Sequence, residues 1–422
     1  YEEETMRYVI IGNSIAATGC IEGIRRVDTE GEIIVISEEP YSVYSRPLIS
    51  YWLSGKIGDN DIYYRPGDFY RKNQVKLISG VKATRVDFDG KEVFLETGEG
   101  IHYDKLLIAT GGKPFVPSIP GPKGNVFTFS NFDDVKAIDR VIFRGASVVV
   151  VGAGLIGLKA AEALVERGCN VTVVELAGRI LSSILDEEGA GIVQKEFEKR
   201  GVKFFLENSA TKVIGEEDVE AVELKSLDTI QANVLIFAIG VVPNVDIFRG
   251  TSLRINRGIP VNSRMETNIP DVYSAGDVAE ALDMLTGENR VIPILPNAYI
   301  EGEIAGLNMA GEKVDYDGGF PMNSIGFFDM HIMTAGLLNP SGGMETIKRM
   351  EKNKRIYRKL YIDDGKIAGF MFINSIDRTG IITDLMRQRI DVSDFKERLL
   401  ADNFGFLDLP KEFRREKILE MV

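Results

Sequence analysis

Two stretches of this chain are variations on one pattern, and that repetition constrains its fold more than any other feature. The first starts at the β-branched run 7–11, turns at Gly12-Asn13-Ser14-Ile15-Ala16-Ala17, continues as a helical pattern, and reaches a second apolar run ending on Glu38 and Glu39. The second starts at 146–151, turns at Gly152-Ala153-Gly154-Leu155-Ile156-Gly157, and reaches the apolar run 170–174, ending on Glu175. Each is a strand, a tight turn, an amphipathic helix and a buried strand, which is a βαβ unit of a parallel sheet. A chain of 422 residues is also too long for one core, so the repeats predict two α/β domains.

The turns themselves carry chemistry. Residues 152–157 form a complete GxGxxG between strand and helix: Gly152 permits the turn, Gly154 lets backbone approach a pyrophosphate, and Gly157 allows close helix–strand packing. The helix then offers free N–H groups and a positive dipole end to phosphates. Glu175, at the end of the next strand, is placed to accept ribose hydroxyls, and Leu176 and Ala177 supply no cation for a 2′-phosphate, so NADH is expected over NADPH. The first turn keeps Gly12 but has Ser14 and Ala17 in place of the later glycines; the Ser14 hydroxyl can itself bond phosphate. Spacing leaves its acid partner open between Glu38 and Glu39.

Composition narrows the function by exclusion. A net charge of -13 argues against nucleic acid or an anionic membrane surface as partner. There is no uninterrupted apolar run of bilayer-spanning length, and the acidic start lacks the core of a signal peptide, so a cytoplasmic protein is expected. Two cysteines and two histidines, Cys20, Cys169, His102 and His331, cannot build a disulfide scaffold, a cysteine-ligated iron–sulfur cluster or a paired-His metal site. No metal is expected, and the chemistry must come from a bound cofactor.

Between the repeats, residues 113–123 carry four prolines and mark a crossing from the first domain to the second. A return crossing is expected at 239–244, after the strand 234–238. A strand-like segment at 271–277 and a helical pattern at 298–310 follow. From about residue 315, strands at 355–362 and 366–373 flank Asp363-Asp364-Gly365, a hairpin pattern, and helical patterns at 379–389 and 392–400 complete a small α+β unit.

Taken with the segments 109–114, 238–244 and 267–277, the two turns resemble the two-dinucleotide-domain flavoprotein reductases of the pyridine nucleotide-disulfide oxidoreductase fold, over essentially the whole chain. The branch is that of NADH oxidase, NADH:rubredoxin reductase, the flavin region of NADH nitrite reductase and the oxygenase ferredoxin reductases. The resemblance implies an α/β fold of two Rossmann-like dinucleotide-binding domains: a discontinuous FAD domain at 1–114 and 239–314, an inserted NAD domain at 115–238, and a C-terminal α+β domain at 315–422 that forms contacts between chains. It also implies an NADH-dependent oxidoreductase, a flavoprotein that passes hydride from NADH to FAD and electrons on to a protein acceptor or a catalytic partner subunit. The alternatives are direct reduction of oxygen, as in an NADH oxidase, or a flavin-bearing subunit or redox sensor of a larger complex. No essential acid or base is implied.

Residue roles follow from the same resemblance. Gly12, Ser14, Ala17 and Glu38 or Glu39 fall to FAD, with Gly276 and Asp277 at the ribityl chain and Ala109, Thr110 and Gly111 as a small-residue turn beside the flavin. Arg46 and Pro47 belong to a segment along the FAD diphosphate, where a guanidinium suits phosphate oxygens. Ala298 and Tyr299 lie at a helix start whose backbone N–H groups would face the flavin pyrimidine. Gly152, Gly154, Ile156, Gly157, Glu175 and Gly240 fall to NAD.

Three departures qualify the likeness. Residues 41–56 hold none of the redox cysteines of disulfide-linked relatives, and Cys20 and Cys169 are expected to be small buried hydrophobes. Tyr51 follows Ile49-Ser50 where some ferredoxin reductases have Lys, favouring the rubredoxin or nitrite-reductase branch. Lys159 stands where many relatives carry Glu; it either touches the nicotinamide or flavin edge or pairs with a nearby carboxylate. Arg355, Arg358 and Lys359 are candidates for a local basic patch toward an acidic carrier, and 319–328 for core or interface.

Overall fold

The computed structural model describes residues 5–338 and 343–419, and they divide into two compact units. One comprises the chain as far as Pro117 with Thr128–Arg140 and Ile239–Phe320; the other comprises Ser118–Phe127, Val141–Ala238 and the chain from Pro321 onward.

The first unit is built on a parallel sheet in the order Val272–Ser274, Lys105–Ile108, Arg7–Ile11, Glu32–Ser37, Val75–Ser79. Its central strands are buried on both faces, which explains their unbroken β-branched runs. Tyr8, Ile10, Ile33 and Val35 point into a core shared with the helix Ile15–Val27, while Val9, Ile11, Ile34 and Ile36 point to the other face. That face is closed by the antiparallel meander Ala83–Asp87, Glu92–Leu95, Gly100–His102.

The helix Ile15–Val27 lies against the helix Leu295–Met309 at unusually short range, and small residues make this possible. A Cβ on Gly19 would stand 2.2 Å from the Tyr299 carbonyl oxygen, one on Gly302 2.0 Å from that of Ala16, and one on Gly306 2.2 Å from that of Cys20. Backbone therefore packs on backbone, and the position of residues 295–301 is fixed against residues 14–20.

The second unit repeats the design. Its sheet runs Lys203–Phe205, Asn170–Val174, Ser147–Val151, Val234–Phe237, Val126–Thr128, with the helix Leu155–Glu166 in the crossover and the meander Ala210–Ile214, Ala221–Leu224, Thr229–Gln231 on one face. The same unit holds an antiparallel sheet in the order Met322–Phe327, Met330–Gly336, Lys366–Ile373, Ile356–Asp363, Glu345–Glu351. Asp364 and Gly365 link two of its strands with φ of 44° and 72°, the left-handed pair of a two-residue hairpin turn.

Four details differ from the sequence-based expectation. The crossings at 113–123 and 239–244 are not plain linkers: Gly112–Pro114 and Val241–Pro243 pair as a two-stranded antiparallel ribbon. The last break falls after Phe320 rather than after 314, because Tyr316 donates its N–H to the Ser263 carbonyl and Gly319 donates to that of Leu282. The helix expected at 392–400 is only a short 3-10 turn, Lys396–Leu400; Val392 donates its N–H back to Gly365, and the Asp391 side chain accepts from Ser393. Finally, Arg355, Arg358 and Lys359 are not a free basic patch. Arg358 is buried and donates to the carbonyls of Ser375, Leu400, Ala401 and Asp377, Lys359 pairs with Asp186, and Arg355 pairs with Glu196 and Asp329.

Candidate functional site

Gly12 leaves its strand with φ of 112° and donates its N–H to Ile36 of the neighbouring strand. The Ala109–Gly111 turn presses against it: a Cβ on Gly12 would stand 2.1 Å from the Ala109 carbonyl oxygen. Thr110 donates its hydroxyl to the Asn244 carbonyl and Gly111 accepts from the Asn244 N–H, which holds this turn in place. Ser14 caps the helix Ile15–Val27 with extended backbone, without a side-chain cap bond, so its hydroxyl and the free N–H groups of the first turn remain available to a ligand oxygen. Ala17 is fully buried in the core.

Gly276, with φ of 80°, packs beside Ala16 at the same helix start and delivers Asp277 there. No described residue hydrogen-bonds the Asp277 carboxylate. Burial pushes it above the usual carboxylate range, opposed by the nearby Arg46 guanidinium. An unpaired carboxylate beside a glycine-lined backbone and open helix N–H groups suits a polyhydroxyl chain joined to phosphate. By this criterion the residues present fit a flavin dinucleotide.

Of the two candidate acids, Glu39 belongs to this cluster and Glu38 does not. Glu39 accepts from the Tyr44 hydroxyl and pairs with Arg46, which also donates to the Ser130 carbonyl at 2.7 Å. Glu38 is exposed and faces Lys82. Pro47, next to Arg46, is exposed at the start of a 3-10 turn. At the helix Leu295–Met309, the Ala298 N–H is spent on the Ile294 carbonyl, contrary to expectation, leaving the earlier amides of Leu295 and Asn297 free. The Tyr299 side chain is a packed aromatic: its hydroxyl donates to Glu22, and Arg65 lies over its ring. The Asn297 side-chain nitrogen is buried without a partner among the described residues.

Sequence reasoning missed Glu301. It is 3% exposed, one turn beyond Asn297, and accepts the Gly276 N–H at 2.8 Å. Burial, with a smaller push from the Asp277 charge, raises it to about 8, against the pull of the Gly276 hydrogen bond. In the sequence it sits beside Gly302 and Glu303 and reads as a surface position; the only pointer is Gly302 and Gly306, which mark a helix face without side chains.

In the second unit, Gly152 repeats the Gly12 turn with φ of 110° and donates to Val174. Gly157 is sterically required, since a Cβ there would lie 2.0 Å from the Gly152 carbonyl oxygen, whereas Gly154 opens onto free space at the helix start. Ile156 is exposed beside it. Glu175 accepts the Ala153 N–H at 2.6 Å and the Ala177 N–H at 2.8 Å, so it braces the loop it was expected to serve. Leu176 is 69% exposed next to it. Gly240 falls in the first unit, where its carbonyl accepts from Phe115. Lys159 pairs with Glu162 and donates to the Gly326 carbonyl at 3.2 Å, while Glu162 also accepts the Phe328 N–H.

Cys20 lies fully buried against Met309 and Cys169 is buried in the other unit; burial pushes both thiols up. Among the described residues no helix is long and apolar enough to cross a membrane.

Residues 6–302 match the family profile described as pyridine nucleotide-disulphide oxidoreductase, and residues 321–390 match the rubredoxin NAD+ reductase C-terminal domain. The NADH-dependent phenylglyoxylate dehydrogenase subunit epsilon of Aromatoleum evansii is 32% identical, over 94% of this chain and 96% of that one. The NADH oxidase of Methanocaldococcus jannaschii is 33% identical, over 86% of this chain and 83% of that one. The chain spans about half the length of two Bacillus subtilis relatives, a nitrate reductase electron transfer subunit and a nitrite reductase, at 51% and 48%. Among solved structures, the covalent putidaredoxin reductase–putidaredoxin complex has the same fold, with a TM-score of 0.85 at 23% identity over 92% of this chain and 94% of that one.

Proposed function

The chain belongs to the pyridine nucleotide-disulphide oxidoreductase family and is an NADH-dependent FAD oxidoreductase, and from that premise we propose that it delivers electrons to a protein acceptor. FAD held here would supply the hydride-accepting and electron-releasing chemistry between NADH and the acceptor. The protein's residues bind and orient. The Gly12 turn, Ser14 and the helix start would hold the dinucleotide phosphates with Arg46 beside them, Glu39 would accept from the ribose, and Asp277 would hold the ribityl hydroxyls. Gly152, Gly154, Gly157 and Glu175 hold NADH, with Glu175 repelling a 2′-phosphate. In function, residues 1–114 and 239–314 would serve the flavin, 115–238 would serve the nucleotide and 315–422 would form the C-terminal part, although the compact unit that holds the flavin part runs on to Phe320.

The observation that carries this reading is the cluster of Asp277, Gly276 and Gly12 around one helix start, with no cysteine there: Cys20 is fully buried further along that helix, against Met309. Reduction should therefore stop at the flavin. Anaerobic NADH titration followed by mixing with oxygen or with a small electron-carrier protein tests it. Slow reoxidation by oxygen and fast reoxidation by a carrier are expected. Rapid oxygen turnover that no carrier alters would instead make it an oxidase.

The near full-length match to the epsilon subunit favours a second reading, in which the acceptor is a partner subunit of a larger cytoplasmic complex. Co-purification of a catalytic subunit from native cells would support it. Contacts between copies through the C-terminal sheet are also proposed, and size measurement in solution tests them.

A further inference from the structure

We propose that Glu301 is a positioning residue of the flavin cradle: as a neutral carboxyl it holds the turn that presents Asp277, and it ties FAD binding to one proton. The proposal rests on the FAD reading above and deepens it.

The geometry leaves Glu301 little freedom. Its helix cannot retreat, because Gly302 and Gly306 already place it backbone-to-backbone against the helix Ile15–Val27. The Gly276 N–H it accepts belongs to a residue with φ of 80°, wedged against Ala16 and Ala298, so this hydrogen bond pins a left-handed turn. The next residue along is Asp277. Two carboxyl groups at one buried turn cannot both carry charge cheaply, and the more buried one is the one that keeps its proton.

The other charges nearby do not relieve it. Arg46 acts on Asp277 and is itself paired with Glu39. Across the interface, Glu22 is held by Arg65 and Tyr299, Arg26 pairs with Glu303 of Glu301's own helix, and the Cys20 thiol is held neutral by burial. Asp277 is the charge that bears on Glu301, and burial already raises the latter to about 8. An anionic dinucleotide bound at this turn opposes a second negative charge and removes more water, so the bound state takes up the proton more readily still. By linkage, FAD affinity is then constant below that pH and falls above it, by up to about tenfold per pH unit for one linked proton.

The test is FAD binding by the full-length protein stripped of flavin, followed by fluorescence quenching from about pH 6 to about pH 9.5. Wild type should bind with constant affinity up to about pH 8 and then weaken by up to about tenfold per unit. Glu301→Gln, which keeps an acceptor for Gly276 and cannot ionise, should bind as tightly as wild type at low pH and stay flat across the range. Asp277→Asn, which takes away the negative charge that helps keep Glu301 protonated, should bind FAD more weakly overall and move the break to lower pH; a break that stays in place or moves to higher pH overturns the coupling between the two carboxyls. A flat wild-type profile, or a Glu301→Gln profile that breaks where wild type does, overturns the inference while leaving FAD binding intact. If wild type binds no FAD at any pH, it is the functional reading that fails. Should Glu301→Gln not fold, the wild-type profile and the direction of the Asp277→Asn shift still decide.

Discussion

Gly12 and Gly152 occupy the same point of the same strand–turn–helix, each donating its N–H to a carbonyl at the end of the adjacent strand, Ile36 or Val174. In that register the residue matching Glu175 is Ser37, not Glu38 or Glu39. The second turn is braced from within, by a carboxylate that accepts from Ala153 and Ala177. The first is braced from outside, by the Ala109 carbonyl over Gly12 and by the helix Leu295–Met309 packed on Ala16. A turn held by its surroundings can lose two of its three glycines, as Ser14 and Ala17 show; a turn that holds itself keeps all of them.

The largest expected effect separates the two modes of bracing. Gly12→Ala would combine left-handed strain with a clash against backbone and should cost on the order of 3 kcal/mol or more, with loss of flavin on gel filtration. Gly154→Ala, which opens onto free space, should melt like wild type and weaken NADH binding only. If Gly12→Ala retains full flavin, external bracing is not what shapes the first turn.

Next in size is Asp277→Ala, which removes the cradle's unpaired acceptor. FAD affinity should fall by about 1–3 kcal/mol, and unchanged affinity by flavin fluorescence would displace the ribityl site. Glu175→Ala removes an internal brace: a net loss of about 1 kcal/mol per hydrogen bond should lower the nucleotide unit's stability and narrow the preference for NADH over NADPH by about tenfold. Stopped-flow reduction by each nucleotide measures that ratio, and a ratio unaffected by the change would leave Glu175 a structural residue only. The smallest effect is expected from Cys20→Ser with Cys169→Ser. Stability should drop, but NADH titration should still end near two electrons per FAD, whereas four electrons in the parent would restore a thiol mechanism.

Both strand–turn–helix units were legible in the sequence because a buried parallel strand and a glycine turn leave a compact local pattern. The Asp364-Gly365 hairpin was legible for the same reason. What escaped depends on distance in the chain. Three-residue strands such as Gly112–Pro114 and Val241–Pro243 are too short for periodicity to register, and only their pairing makes them strands. Arg358 and Lys359 read as surface charge because nothing local reveals Asp186 or the Leu400 carbonyl waiting opposite. Glu301 was hidden in the same way: its burial comes from a helix some 280 residues earlier in the chain. Among the site residues, Asp277 and Gly12 meet around one helix start, whereas Ala298 and Tyr299 turn their polar groups elsewhere.

The glycine-to-backbone contact of the helices Ile15–Val27 and Leu295–Met309 has a consequence for synthesis. The strands of the second unit's parallel sheet are all present once residue 237 has been made. The first sheet still awaits Val272–Ser274, and its helix awaits a partner whose last turn ends at Met309. A ribosome working from the N-terminus therefore produces the inserted sheet in complete form before the lobe that began first, and such long-range closure is slow. Until it occurs, the face of Ile15–Val27 carrying Ala16, Gly19 and Cys20 is an uncovered seam on the nascent chain.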